Sequence, residues 1–358
     1  MNTLSTSAFT SDFSLQALQD SARAVTQAEG GLKRVRALRF NEPGISPDVW
    51  RQVCDMGWLS LLVPESRGGS ELGMQALGSL MAGLGRGLAP EPIAQAAIAA
   101  SFLAGQQLED HVAGKSLVLL ALQEGHDDLG AAPSVRFANG RASGRKSHIP
   151  MAAAASAFLV TTDGGLVLVE RNAAGVSLET LRTQDGGHFG VLMMVDTPTV
   201  LVGDDDGSAF DRAALALSAF LLGALEESLD RTVEFLKVRE QFRKPIGSFQ
   251  ALQHKAADMK IQAVVARASI EGAAVSYDAP GPHAVRKAAV SRAKARAADA
   301  SLFIAKESIQ LHGAIGYTDE FDIGLYARKA LTMANLYGSA SAHRRRYAAL
   351  VPDDDING

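Results

Sequence analysis

With a single cysteine in 358 residues, Cys54, the chain can form no intrachain disulfide, and it suits a reducing compartment. Cys54, beside Val53 and Met56, reads as a small apolar core residue. Charge of one sign is also missing. Only 21% of residues are charged and the net charge is -4, so no bulk basic field can hold nucleic acid or an anionic membrane. Long apolar runs are absent too: the uncharged apolar stretch Ala213 to Leu225 falls short of the roughly 20 residues that span a bilayer. Met1 to Ser14 lacks the basic start and apolar stretch of a secretory signal, so a cytoplasmic location is expected. No Gly-x-Gly-x-x-Gly follows a strand. "AGKS" at Ala113–Ser116 has Glu109 where a phosphate loop needs its first glycine. Neither His-Glu-x-x-His nor Gly-x-Ser-x-Gly occurs, and no close Cys-His cluster does, which leaves no case for a zinc site or a serine nucleophile of that type.

What is present is a chain that is 47% hydrophobic and long enough to bury a sizeable core in two or three units. From Leu15 to about Ala113 the composition favours helix, with breaks at "NEPGISPD" and "VPESRGG". Ser46-Pro47-Asp48 is a helix start, Ser46 as cap and Pro47 in the first turn. Between about Gly114 and Val202, short apolar runs ("KSLVLLAL", "AFLVTT", "GLVLVE", "VLMMVDTPTVLV") are separated by Gly, Asp and Asn and predict strands. Helix returns from Phe210, broken at "DAPGPH", and the tail "PDDDING" is expected to fray. The order helix, strand, helix predicts an α+β fold in three units: residues 1–113, 114–203 and 204–358.

One stretch concentrates unusual chemistry: "VREQFRKPIGSFQALQHKAADM", Val238 to Met259, at the join of two helices. Arg239 near a helix end offers a forked cation to a pyrophosphate, and Phe242 and Gln250 offer a stacking face and an amide for an adenosine. By spacing alone a solvated Arg and a Phe packed in a turn explain it equally well.

The full set of segments resembles the acyl-CoA dehydrogenase family. It comprises "DMGWLSLLVPESRGG", "LGRGLAPEPI", "LLALQE", "SGRKSHIPMAAAASAFLV", "REQFRKPIGSFQALQHKAADM" and "QLHGAIGYTDEFDIGLYARKA", in that order over nearly the whole chain. The resemblance implies a helical domain, a central β domain and a C-terminal four-helix bundle holding FAD. It implies dimers or tetramers in which Arg239, Phe242 and Gln250 reach the FAD of a neighbouring subunit, and Gln310, Leu311, His312, Gly313 and Ala314 line its adenosine diphosphate portion. Ala314 stands where the pattern has a second glycine. Beside the flavin ring, Gln123 replaces the usual Thr, "GHDDLG" replaces the usual Gly-Ser-Asp, and His148, Ile149 and Pro150 replace Trp-Ile-Thr. An imidazole can cover the ring, but Pro150 removes a hydroxyl and a backbone donor. The implied partners are an acyl-CoA, an electron-transfer flavoprotein and like or homologous subunits.

Dehydrogenation of an acyl thioester needs a carboxylate to take the α proton. Where the family has "Tyr-Glu-Gly-Thr" this chain has "YGSA", with Gly338 at the position of the base. Some relatives carry the base at the start of the helix leading into "REQF", and Asp211 is the carboxylate near that start here. It fits equally a routine helix N-terminus. Glu226, Glu227 and Glu124 are further carboxylates, the last suited to anchoring backbone. Three readings follow: a dehydrogenase with a displaced base, a subunit that completes the flavin site of a homologous partner, and a non-oxidative enzyme acting on an acyl thioester.

Overall fold

The computed structural model describes the backbone of residues 5–28, 30–125, 127, 129, 132–204 and 206–351, with side chains from Ser14 onward. The tail at 352–358, expected to fray, lies outside the described residues, as does part of "GHDDLG". The first unit holds α1 (Ser5–Ala28), α2 (Leu32–Leu38), α3 (Pro47–Asp55), α4 (Gly73–Arg86), α5 (Ile93–Ala100) and α6 (Gly105–Val112). Helix α3 begins where its cap dictates: Ser46 is extended and its Oγ accepts from Val49 N, with Pro47 in the first turn. "VPESRGG" becomes a short 3₁₀ turn ending at Gly68, whose φ of 82° favours glycine.

The middle unit contains two four-stranded sheets. One orders β1 (Val118–Ala121), β4 (Ala157–Thr162), β5 (Gly165–Glu170) and β8 (Val200–Gly203). The other orders β2 (Arg136–Ala138), β3 (Arg141–Pro150), β7 (His188–Pro198) and β6 (Val176–Arg182). Only β1–β4 is parallel among these pairs. Strand β4 is buried at every position, which is why it reads as a continuous apolar run. "VLMMVDTPTVLV" is not one strand but parts of two, β7 and β8, and the chain crosses between sheets at Thr199.

The last unit runs α7 (Ser208–Val238), a two-stranded hairpin β9 (Glu240–Gln241) and β10 (Lys244–Pro245), α8 (Gln250–Asp278), α9 (His283–His312), α10 (Ile323–Met333) and α11 (Ala340–Leu350). Helix α7 has the length and apolar composition to cross a membrane, yet 83% of its apolar window is buried within the fold. It crosses α4 at van der Waals distance through two glycines. A Cβ on Gly85 would sit 2.0 Å from the Phe220 carbonyl oxygen, and one on Gly223 1.9 Å from that of Ala82. Helix α4 has no cap of its own; the carboxylate of Asp278, at the end of α8, accepts from Met74 N at 2.7 Å and Gln75 N at 3.0 Å.

Candidate active-site cavity

Where the three units meet, α2, α5, α7, α10, the end of β3 and the β6–β7 turn enclose a cavity of about 910 Å³, counting its mouth. The face that α7 turns toward it carries Ala213, Leu217 and Phe220, spaced i, i+4, i+7. At ~100° per residue, Asp211 lies about 160° from Ala213 around the helix, on the far side. There it is buried, 2.6 Å from Arg346 Nη1 of α11, beside Arg212, Tyr277 and Lys287. Burial pushes the Asp211 carboxyl up, against the pull of Arg346. The expected base Asp211 is thus placed in a buried ion pair with Arg346, on the side of α7 opposite the cavity. The helix position that does face the cavity is Ala213.

Tyr337 lines the cavity, and Gly338 follows it with φ 98°. A Cβ at Gly338 would lie 2.8 Å from Leu129 Cδ2 and 3.1 Å from His343 Nε2. The turn carrying them is held from below by the fully buried Lys294, whose Nζ donates to the carbonyls of Ala334 (2.6 Å) and Gly338 (3.0 Å). Two carboxylates that sequence reasoning missed do line the cavity. Glu91 is paired with Arg34 and also accepts from Ser46 N; Asp185 is paired with Lys329. Burial pushes Asp185 up, but Lys329, Thr183 and the Gly187 amide hold it below the usual range. Their only sequence signal is an acidic residue inside an apolar segment or a turn. Glu226 and Glu227 pair with Arg86, Arg267 and Arg231 away from the cavity. Glu124 holds Lys146 Nζ at 2.6 Å and the Ser134 amide, an anchoring role. Arg344, Arg345 and Arg346 face Asp299, Asp127 and Asp211.

The residues expected beside a flavin ring separate. Gln123 is buried, and its Oε1 accepts from Tyr337 N at 3.0 Å while its Nε2 donates to Gly125 O. Pro150 lines the cavity and Ile149 is buried against the sheet, paired with Gly190. His148 sits in a β-bulge at φ 55°, its Nδ1 2.8 Å from Ser147 Oγ and its ring edge-on to Phe189, outside the cavity lining. Gln123 and Tyr337 are thus joined directly by a hydrogen bond at the cavity wall.

The adenosine diphosphate set behaves otherwise. Arg239 ends α7, and its carbonyl accepts from Ile246 N to close the β9–β10 hairpin. Phe242, at the hairpin tip, is 85% exposed and edge-on to Phe249, and Gln250 opens α8 in solvent. Phe235, one turn before Arg239, stacks on His312 at 4.2 Å, which joins the last turn of α7 to the segment Gln310–Ala314. Gln310, Gly313 and Ala314 are exposed; Leu311 and His312 are buried. His312 Nδ1 bonds Ser308 O, and its buried Nε2 has no protein partner. This patch fits a phosphate-bearing nucleotide, and it opens outward.

A family model described as the acyl-CoA dehydrogenase C-terminal domain matches residues 206–351, and one described as the N-terminal domain matches residues 14–111. The fold and these matches define a member of the acyl-CoA dehydrogenase class, a family of flavoprotein oxidoreductases. Acyl-CoA dehydrogenase IpdE2 of Mycobacterium tuberculosis is 30% identical over 92% of this chain and 95% of its own length. Acyl-CoA dehydrogenase FadE34 of the same organism is 31% identical over 92% of this chain, which spans only 46% of that protein's length. A solved ChsE4-ChsE5 complex from M. tuberculosis contains a chain that superposes with a TM-score of 0.85 at 27% identity, over 95% of this chain and 98% of that one. The chain belongs to the acyl-CoA dehydrogenase family, whose members imply FAD as cofactor.

Proposed function

We propose that this chain is a cytoplasmic subunit of a mixed acyl-CoA dehydrogenase oligomer and does not itself dehydrogenate. It lends Arg239, Phe242, Gln250 and the segment Gln310–Ala314 to FAD held by a homologous, Glu-bearing partner, whose electrons leave to an electron-transfer flavoprotein. The observation that carries this reading is the cavity's charge inventory. Gly338, beside the lining residue Tyr337, stands where the resembled pattern has its Glu, α7 turns Ala213 toward the cavity, and among the described residues the two lining carboxylates, Glu91 and Asp185, are both committed to buried cations. The outward-facing nucleotide patch supports it, and so does the direct Gln123–Tyr337 bond. Two features of the relatives point the same way: FadE34 is about twice the length of this chain, and ChsE4 and ChsE5 form a complex.

The test is anaerobic mixing with a panel of acyl-CoAs, following flavin absorbance, for the chain alone and co-expressed with a homologue that carries Tyr-Glu-Gly-Thr. Bleaching is expected only in the mixed complex. Arg239→Ala in this chain should lower FAD retention of that complex about 10-fold or more, the equivalent of one charge-assisted phosphate contact. Bleaching of the chain purified alone would refute the proposal. Product formation with no electron acceptor would assign it a non-oxidative reaction instead.

A further inference from the structure

A second cavity, about 1070 Å³ counting its mouth, opens between α1, α4, α7 and α8. It shares no lining residue with the first: Ala219 and Leu222 face it, about 160° around α7 from Leu217 and Phe220 respectively. Among the described residues, six that line it are buried: Gln19, Ala82, Ala219, Leu222, Ile270 and Ala274. Gln19 is the one polar member of that set. Only 8% of it is exposed, and its side-chain amide has no hydrogen-bond partner. Neither its nitrogen nor its oxygen is sealed inside the packing. Side chains lean toward the N-terminus of their helix, which carries this amide over the turn of Leu15 and Gln16, the two other α1 residues that line the cavity. An amide withdrawn from bulk water without a partner is costly, and a ligand that pairs with it removes that cost.

The other polar side chains of the lining each bond within the protein. Ser79 Oγ donates to Leu15 O at 2.6 Å, Gln16 Nε2 to Asp20 and Gln75 Nε2 to Asp278. Arg267, the one cation among the described lining residues, spends Nε and Nη2 on Glu226 and Nη1 on Glu271. An anionic ligand would therefore meet no free cation, whereas Gln19 offers a neutral donor and a neutral acceptor side by side. We infer that this cavity binds a neutral, largely apolar molecule bearing a primary carboxamide. The ligand's carbonyl accepts from Gln19 Nε2 and its N–H donates to Gln19 Oε1, a paired contact that neither a carboxylate nor a hydrocarbon completes. The buried apolar residues of the lining cover its body. The site is separate from the nucleotide patch and from the first cavity, and it does not depend on whether the chain dehydrogenates.

Titration calorimetry on the full-length chain with octanamide and octanoate tests this. Octanamide is expected to bind about 10-fold tighter than octanoate, whose charge has no cation to meet. Gln19→Leu should weaken octanamide about 10-fold, the loss of two neutral hydrogen bonds. The same variant should leave the urea midpoint of the ligand-free chain unchanged or higher, because it removes an unpaired amide. Ala274→Leu, which narrows the apolar wall, should weaken octanamide as well, and Ala219→Leu serves the same purpose if the first variant does not fold. Ala213→Leu, in the first cavity, should leave octanamide affinity as it was. Octanamide binding no tighter than octanoate, affinity unmoved by Gln19→Leu, binding lost with Ala213→Leu but kept with Ala274→Leu, or no octanamide binding at all would each overturn the proposal. A urea midpoint lowered by Gln19→Leu would mark Gln19 as a packing residue and overturn it too.

Discussion

Asp211→Asn separates a structural carboxylate from a catalytic one. The substitution keeps an oxygen that can accept from Arg346 at the present 2.6 Å but removes the charge, inside a pair whose side chains are 3% and 14% exposed. A charge-assisted hydrogen bond contributes about 1.5–3 kcal/mol and a neutral one about 0.5–1.5, a loss of roughly 1–1.5 kcal/mol. Leaving Arg346 buried without its countercharge adds a further penalty. Breaking a buried pair outright costs about 3–5 kcal/mol, and the retained acceptor keeps the variant below that range. Relief of the desolvation that pushes the Asp211 carboxyl up acts in the opposite direction. The net expectation is about 2 kcal/mol of destabilisation, read as a lower urea midpoint at unchanged slope. Combining it with Arg346→Gln should reveal a coupling of about 1 kcal/mol or more in a double-mutant cycle. Flavin reduction by acyl-CoA in the mixed complex should be unchanged per mole of bound FAD. A variant of native stability and native FAD content that no longer supports bleaching would refute this reasoning and return Asp211 to the role of base.

Two further outcomes follow from the same region. Gly338→Glu alone should not restore dehydrogenation. The new Cβ meets Leu129 at 2.8 Å in a backbone at φ 98°, so the variant should lose about 1–3 kcal/mol of stability, and acyl-CoA bleaching by the isolated variant would contradict this. His343 is buried, with Nε2 bonded to Tyr337 O, and burial lowers its pKa from 6.5 to about 3. Between those values the unfolded chain takes up a proton that the folded chain does not. Stability is therefore lost as pH falls below 6.5, by about 2 kcal/mol from pH 6.5 to pH 5 for this group alone. Denaturant melts of His343→Gln should show a shallower loss than the native chain over that interval, and equal slopes would count against it.

Much of the frame is written locally. Ser46 caps α3 through a neighbour three residues away, and the apolar run of α7 demands burial wherever it packs. The empty base position at Gly338 is legible because a glycine has no proton acceptor in any environment. The sequence alone therefore determined the helix, strand, helix order and the absence of the usual carboxylate. Tertiary structure decided what depends on partners far along the chain. Asp278 caps a helix 203 residues away, and Asp185 meets Lys329 across 144. The run from Val191 to Val202 divides between two sheets because β7 pairs with β3 and β6 while β8 pairs with β5. Helical spacing fixed the angle between Asp211 and Ala213, but only the packing of α7 on α4 through Gly85 and Gly223 chose which of them looks into the cavity. Residue type and short-range spacing travel with the chain; the direction a side chain faces is set by what packs against its element.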